Sequence, residues 1–139
     1  MVINTPTKIF WGKDELKKLV SELKNDRVLF VIGKSQRVLK TDTFINLEKM
    51  FKLNNIPYFV YSNVTTNPTK EQVDLGIEEC KNNKCSAIIG FGGGSVIDVS
   101  KAISFSIVNN DFWEYIESPR DDNRCIKIIC NNYFSRYWK

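Results

Sequence analysis

The chain has 139 residues, 42% hydrophobic and 26% charged, a size and balance that fit one globular domain and exclude a disordered or low-complexity protein. Its net charge of +4 is mild, and Lys17, Lys18, Lys81 and Lys84 are scattered among acidic residues with no aromatic-and-basic motif, which argues against nucleic acid as a partner. The opening "MVINTPTKIFWGKDE" has no charged region followed by a long apolar stretch, and no apolar run reaches membrane-spanning length, so a cytoplasmic chain without a membrane partner is expected.

Thr7 to Phe10 is a short apolar stretch expected as a first strand. Asp14 can then cap a helix in which Leu16, Leu19, Val20 and Leu23 recur at the spacing of one buried face. "RVLFVIG", Arg27 to Gly33, is a continuous apolar run of the kind buried on both faces of a parallel sheet. Thr41 or Asp42 opens a helix with Phe44, Leu47 and Phe51 inward, and Tyr58 to Tyr61 follows Pro57 as a strand. In "NPTKEQVDLGIEECK" a further helix begins, with Thr69 and Gln72 at capping-box spacing and Val73, Ile77 and Cys80 on one face. A strand at Ser86 to Gly90, a glycine loop and a helix from Ser95 to about Phe105 complete the regular part. Beyond Asn109 the pattern weakens, although "RCIKIIC" reads as one more strand. Strands alternating with helices of this length predict right-handed crossovers and a parallel α/β sheet.

Four cysteines, Cys80, Cys85, Cys125 and Cys130, form two C-x4-C pairs. With no histidine in the chain and no zinc-type spacing, reduced structural thiols are expected rather than a metal cluster.

The stretch "IIGFGGGSVIDVSKAI", Ile88 to Ile103, has two readings. A strand, a glycine loop and a helix start together offer bare N–H groups and a favourable dipole to phosphate, and Gly92, Gly93 and Gly94 let an anion approach the backbone. Neither common phosphate-loop pattern is present, however, because Ser95 stands where the last glycine of G-x-G-x-x-G would be. Ser95 and Asp98 equally suit a capping box, with Lys101 pairing Asp98. Spacing alone leaves anion site and capped turn both open.

"GGGSVIDVSKA" resembles the G-G-G-S-x-x-D-x-x-K signature of the iron-containing (group III) alcohol dehydrogenases. "IFWGKDELKKL", "VLFVIGKS" and "NVTTNPTKEQVDLGIEECKNNKCSAIIGFGGGS" resemble further stretches of that family in the same order, so the likeness runs from Thr7 to Ile129. The resemblance implies a Rossmann-like parallel sheet with helices on both faces, forming the family's N-terminal dinucleotide-binding domain. It implies that Gly92, Gly93, Gly94 and Ser95 contact the cofactor pyrophosphate, that Asp98 lies near the nicotinamide ribose, and that Asn67 touches the cofactor. Members that prefer NAD carry Asp at the end of the second strand, where this chain has Gly33, Lys34 and Ser35, so NADP is expected to be preferred over NAD. The first strand, Thr7 to Phe10, pairs across a dimer in the family, which makes a homodimer the expected assembly. The serine after three glycines and the "NPT" block favour the alcohol branch over the related glycerol and sugar-phosphate dehydrogenases; a non-catalytic nucleotide-binding or dimerisation module is the alternative from another class.

Family members also carry a C-terminal helical domain whose Asp and His residues hold iron or zinc as the Lewis acid for hydride transfer. With no histidine, this chain is expected to lack that site and to be inactive alone. The family follows the "RCIKII" strand with a segment like I-x-T-T-x-x-G-T-G-S-E, whereas this chain reads "CNNYFSRYWK". A permitted back-translation of Cys130 to Lys139, read one base forward, gives Ala-Ile-Thr-Thr, two further residues and Gly-Thr-Gly. We therefore expect a dinucleotide-binding domain at 1–129 and an out-of-frame tail at 130–139. Sequencing the DNA should reveal, in the shifted frame beyond Ile129, a long helical domain bearing histidines; a frame without one removes the explanation.

Overall fold

A computed structural model describes residues 15–109 and 126–131 of the chain. The expected strand at Thr7 to Phe10, the Asp14 cap and most of the 130–139 tail lie outside the described residues. In chain order the elements are α1 (Glu15–Glu22), β1 (Val28–Gly33), a short 3-10 helix (Arg37–Lys40), α2 (Asp42–Leu53), β2 (Tyr58–Val64), α3 (Lys70–Asn82), β3 (Ala87–Phe91), α4 (Gly94–Asn109) and β4 (Lys127–Asn131).

Local chemistry sets these boundaries. Thr41, rather than Asp42, caps α2, its side chain accepting the Phe44 N–H at 3.2 Å. Thr69 caps α3 in the same way through the Gln72 N–H at 3.3 Å. The return half of the expected capping box is not made, because the Gln72 amide turns to Thr65 instead.

Both α2 and α3 end in one motif. Asn55 and Lys84 adopt left-handed φ angles of 54° and 52°. The Ile56 and Cys85 N–H groups then donate to the carbonyls of Phe51 and Cys80, each at 2.9 Å, with Asn55 donating to Lys52 and Lys84 to Lys81. This Schellman closure presses together the side chains on either side of the turn. The five-residue step from Cys80 to Cys85 is thus the step of the turn, and Phe51 and Ile56 occupy the same two places after α2.

The four strands are all parallel, in the order β2-β1-β3-β4. β1 is central, with Val28 in register with Tyr58 on one side and Ala87 on the other. Val28, Phe30 and Ile32 pack with α1 and α2, and Leu29 and Val31 with α3 and α4, so both faces of β1 are buried and the run "VLFVI" needs no alternation. Helices on both faces of a parallel sheet in a single domain match the expected α/β class.

Two elements are longer than periodicity suggested. β2 continues through Ser62 and Asn63 to Val64, since as an edge strand in the described sheet it tolerates polar residues; an irregularity then pairs Gly33 with Val64. α4 runs on to Asn109 past several serines, with Ser100 donating to the Val96 carbonyl at 2.7 Å, Ser104 to the Ile126 carbonyl at 2.8 Å, and the buried Ser106 hydroxyl left without a partner among the described residues.

At the amino end of the sheet, Lys127 of β4 donates to Asp26 at 2.6 Å and to the Glu22 carbonyl at 2.9 Å. Asp26 also accepts from Ser86 at 2.8 Å, so one carboxylate ties β3 and β4 to the α1–β1 turn.

β3 and α4 meet in close contact. A Cβ on Gly90 would sit 2.5 Å from Ser100 Oγ and 3.0 Å from its Cβ. A Gly90→Ala variant is therefore expected to lose about 1–3 kcal/mol through overpacking, read as a lowered urea midpoint with an unchanged slope.

Candidate functional site

The chain leaves β1 for β2 on one side, then crosses back over β1 to β3, so the loops after β1 and β3 depart to opposite faces. Such a switch point opens a crevice at the carboxyl ends of the two strands. Every residue singled out as a candidate in the sequence lies at or beyond the carboxyl end of a strand.

The glycine loop follows β3, and its three residues are glycine for different reasons. A Cβ on Gly92 would come within 2.8 Å of Val96 Cγ2, so the turn's own packing requires it. Gly93 gives its carbonyl to the Ile97 N–H at 3.1 Å and so serves as the N-cap of α4. A Cβ on Gly94 would meet no atom within 4 Å, and the residue is exposed. Nothing in the protein's packing asks for glycine there. The open space stands before the first turn of α4, whose leading N–H groups have no acceptor within the helix.

The helix begins one residue earlier than expected, at Gly94, and this overturns the capping-box reading of Ser95 and Asp98. Ser95 lies inside the first turn, and its hydroxyl donates across the site to the Thr66 carbonyl at 2.8 Å. Asp98 is exposed and, among the described residues, makes no ion pair with Lys101. Both act instead on Cys130 of β4, where burial pushes the thiol up, Lys101 opposes that shift and Asp98 adds to it. Cys130 pairs in register with Gly90, which brings β4 to the same end of the sheet. Sequence reading set it aside with the tail, and nothing in its C-x4-C spacing pointed to this position.

Asn67 sits in the loop after β2 that Ser95 grips. Thr65 receives the Gln72 amide at 3.0 Å, donates its N–H to the Gln72 carbonyl oxygen of that side chain at 3.2 Å, and donates its hydroxyl to the Asn67 backbone carbonyl at 3.3 Å. Tyr61 fastens the same helix start by donating its hydroxyl to the Gln72 backbone carbonyl; burial, with Glu79 adding to it, pushes that hydroxyl up to about 12. The Asn67 side chain is exposed and makes no hydrogen bond among the described residues, so it is not spent on the turn before Pro68. The two motif blocks, far apart in sequence, are thus joined by one hydrogen bond.

Gly33, Lys34 and Ser35 close β1 beside this loop. The Lys34 N–H donates to the Val64 carbonyl at 2.8 Å, while the Lys34 and Ser35 side chains are exposed, and Lys34 has no ion-pair partner among the described residues. A Cβ on Gly33 would lie 3.9 Å from the Val64 carbonyl oxygen, an ordinary contact, so a side chain would fit there. Gln36 follows in a left-handed conformation, φ 56°, and reaches Ser62 at 3.2 Å. This short helical turn was not expected from the sequence.

The open space at Gly94, the Ser95 hydroxyl and the exposed cation Lys34 fit a dinucleotide with its phosphates at the start of α4. A metal ion has no comparable fit: the chain has no histidine, and no group of three or more Cys, Asp or Glu gathers among the described residues. Among the described residues no helix is long and apolar enough to cross a membrane.

The sequence matches the profile of the iron-containing alcohol dehydrogenases over residues 6–131. It is 32% identical over 126 residues to NADH-dependent butanol dehydrogenase A of Clostridium acetobutylicum, covering 88% of this chain and 32% of that protein. To the mitochondrial hydroxyacid-oxoacid transhydrogenase of Caenorhabditis elegans it is 32% identical over 102 residues, 72% of this chain and 22% of the other. The crystal structure of NADH-dependent butanol dehydrogenase A from Thermotoga maritima superposes with a TM-score of 0.77 at 29% identity, over 94% of this chain and 33% of that one. The chain spans about a third of the length of these butanol dehydrogenases. With the match extending through the Asn67 segment and the glycine loop alike, the chain belongs to the iron-containing alcohol dehydrogenase family.

Proposed function

We propose that residues 1–129 form the nicotinamide-dinucleotide-binding domain of an alcohol or aldehyde oxidoreductase, inert by itself, with the pyrophosphate at Gly92, Gly93, Gly94 and Ser95. The observation that carries this reading is the empty space at Gly94, a glycine the protein's own packing does not demand, directly before the start of α4. Asn67, next to the Thr66 carbonyl that Ser95 holds, is assigned to contact the cofactor, and Asp98, one turn further along α4, to lie near the nicotinamide ribose. The two butanol dehydrogenases named above are described as NADH-dependent. For this chain we favour NADP(H), because β1 ends without a carboxylate to repel a 2′-phosphate and with Lys34 and Ser35 exposed to receive it. A homodimer through Thr7 to Phe10 and a cytoplasmic location complete the proposal; the three cysteines among the described residues are free thiols, as a reducing compartment would keep them.

Calorimetric titration is expected to show NADPH binding more tightly than NADH, and no binding of either would overturn the site. Gly94→Val should abolish binding with the urea midpoint unchanged, whereas Gly92→Val should lower the midpoint itself. Gly33→Asp should move the NADPH-to-NADH affinity ratio toward NADH by about tenfold, or ~1.4 kcal/mol. Aldehyde reduction by the purified chain with added iron or zinc is expected to be absent, and turnover would contradict the proposed inertness. Light scattering should report a dimer; a strictly monomeric chain would remove the Thr7 to Phe10 edge.

A further inference from the structure

The turn that closes α3 holds two thiols against each other at the amino end of β3, across the sheet from the glycine loop. Cys80 gives its carbonyl to the Cys85 N–H at 2.9 Å, and Cys80 Sγ donates to the Cys85 backbone carbonyl oxygen at 3.8 Å. The backbone bond and the sulfur-to-carbonyl contact hold the two residues side by side, as a disulfide between them requires. The matching turn after α2 closes on Phe51 and Ile56, so the motif itself asks only for an apolar contact, not for sulfur.

The surroundings divide the labour between the two sulfurs. The hydrogen bond Cys80 gives to Cys85, and then burial, hold the Cys80 thiol far above its ordinary range. The same hydrogen bond pulls Cys85 down; Arg27 assists, while burial and Glu79 oppose. Arg27 is held in place, its Nε donating to the Asn83 carbonyl at 2.8 Å and its guanidinium 5.2 Å from the centre of the Phe59 ring. Cys85 is 7% exposed and Cys80 1%, so Cys85 is also the sulfur a small reagent meets first.

We propose that Cys80 and Cys85 form an intramolecular disulfide when a two-electron oxidant of the peroxide class reaches this turn, making it a site of reversible oxidation. The Cys85 thiolate attacks one oxygen of hydrogen peroxide; the O–O bond breaks, a sulfenic acid forms, and the departing hydroxide takes up the proton Cys85 released, leaving as water. The Cys80 sulfur then displaces the sulfenic oxygen, so that the S–S bond forms, the S–O bond breaks, and the Cys80 proton leaves with hydroxide as a second water. Two thiols and one peroxide yield one disulfide and two waters. The sulfur pair gives up two electrons and the peroxide oxygens gain them. Any dithiol reductant reverses the bond.

The test uses the full wild-type chain. The protein is treated with hydrogen peroxide under native conditions, quenched with catalase, denatured, alkylated and digested with trypsin without reductant. Lys81 and Lys84 lie between the two cysteines, so trypsin separates their peptides unless the sulfurs are joined. The expected product is the Glu71–Lys81 peptide linked to the Cys85–Lys101 peptide and parted by reductant. In a Cys85→Ser variant, Cys80 should remain alkylatable after the same treatment. The inference fails if Cys80 and Cys85 are both recovered alkylated once Cys130 has been consumed, if either is linked to another cysteine instead, or if Cys80 is still lost in the Cys85→Ser variant.

Discussion

The approach of α4 to β3 governs the rest of this structure. Gly90 has no side chain because Ser100 occupies the place it would take, and Gly76 of α3 likewise makes room for Ile103, whose Cδ1 a Cβ there would meet at 2.4 Å. Ser100 can be fully buried because its hydroxyl donates back to Val96 within the helix, leaving no unpaired polar atom at the contact. With α4 pressed onto the sheet in this way, its first turn has one available position, directly beyond the end of β3. Gly92 against Val96 continues the same contact into the loop. Gly90 and Gly92 therefore answer to one steric seam, and the seam aims the helix start at the crevice.

Much of this was legible in the sequence, and the reasons are specific. "VLFVIG" betrayed a strand buried on both faces, because only such a strand can do without polar alternation, and Thr41 and Thr69 marked helix starts through side chains that satisfy orphan N–H groups. What was not legible depended on partners distant in sequence. Ser95 looks like a cap by local spacing, and only the fold brings Thr66 within reach of its hydroxyl. Gln72 leaves its box for Thr65 for the same reason. Cys80 and Cys85 were expected as structural thiols, but only the left-handed turn at Lys84 shows that their C-x4-C spacing is the step of a packing contact. Cys130 gained its position from the register of β4 with Gly90, which no local pattern encodes.

The two ends of the sheet are built differently. At the amino end, Asp26, Ser86, Lys127 and Arg27 knit the turn after α1 to β3, β4 and the close of α3 through direct hydrogen bonds. At the carboxyl end the side chains of Lys34, Ser35 and Asn67 stay exposed, and the backbone rather than the side chains forms the floor. A rigid base with an open rim is the arrangement in which a ligand can be gripped without reorganising the core.

The Ser95 hydroxyl carries a single proton, and that proton is committed to the Thr66 carbonyl. An anion arriving at the helix start can claim it only by taking it from Thr66. Grip on the anion and tension in the loop that carries Asn67 are therefore linked quantities: whatever strengthens one through this hydroxyl weakens the other by the same factor. At the proposed site, one proton shared between two acceptors would make the loop after β2 a reporter of anion binding at the end of β3.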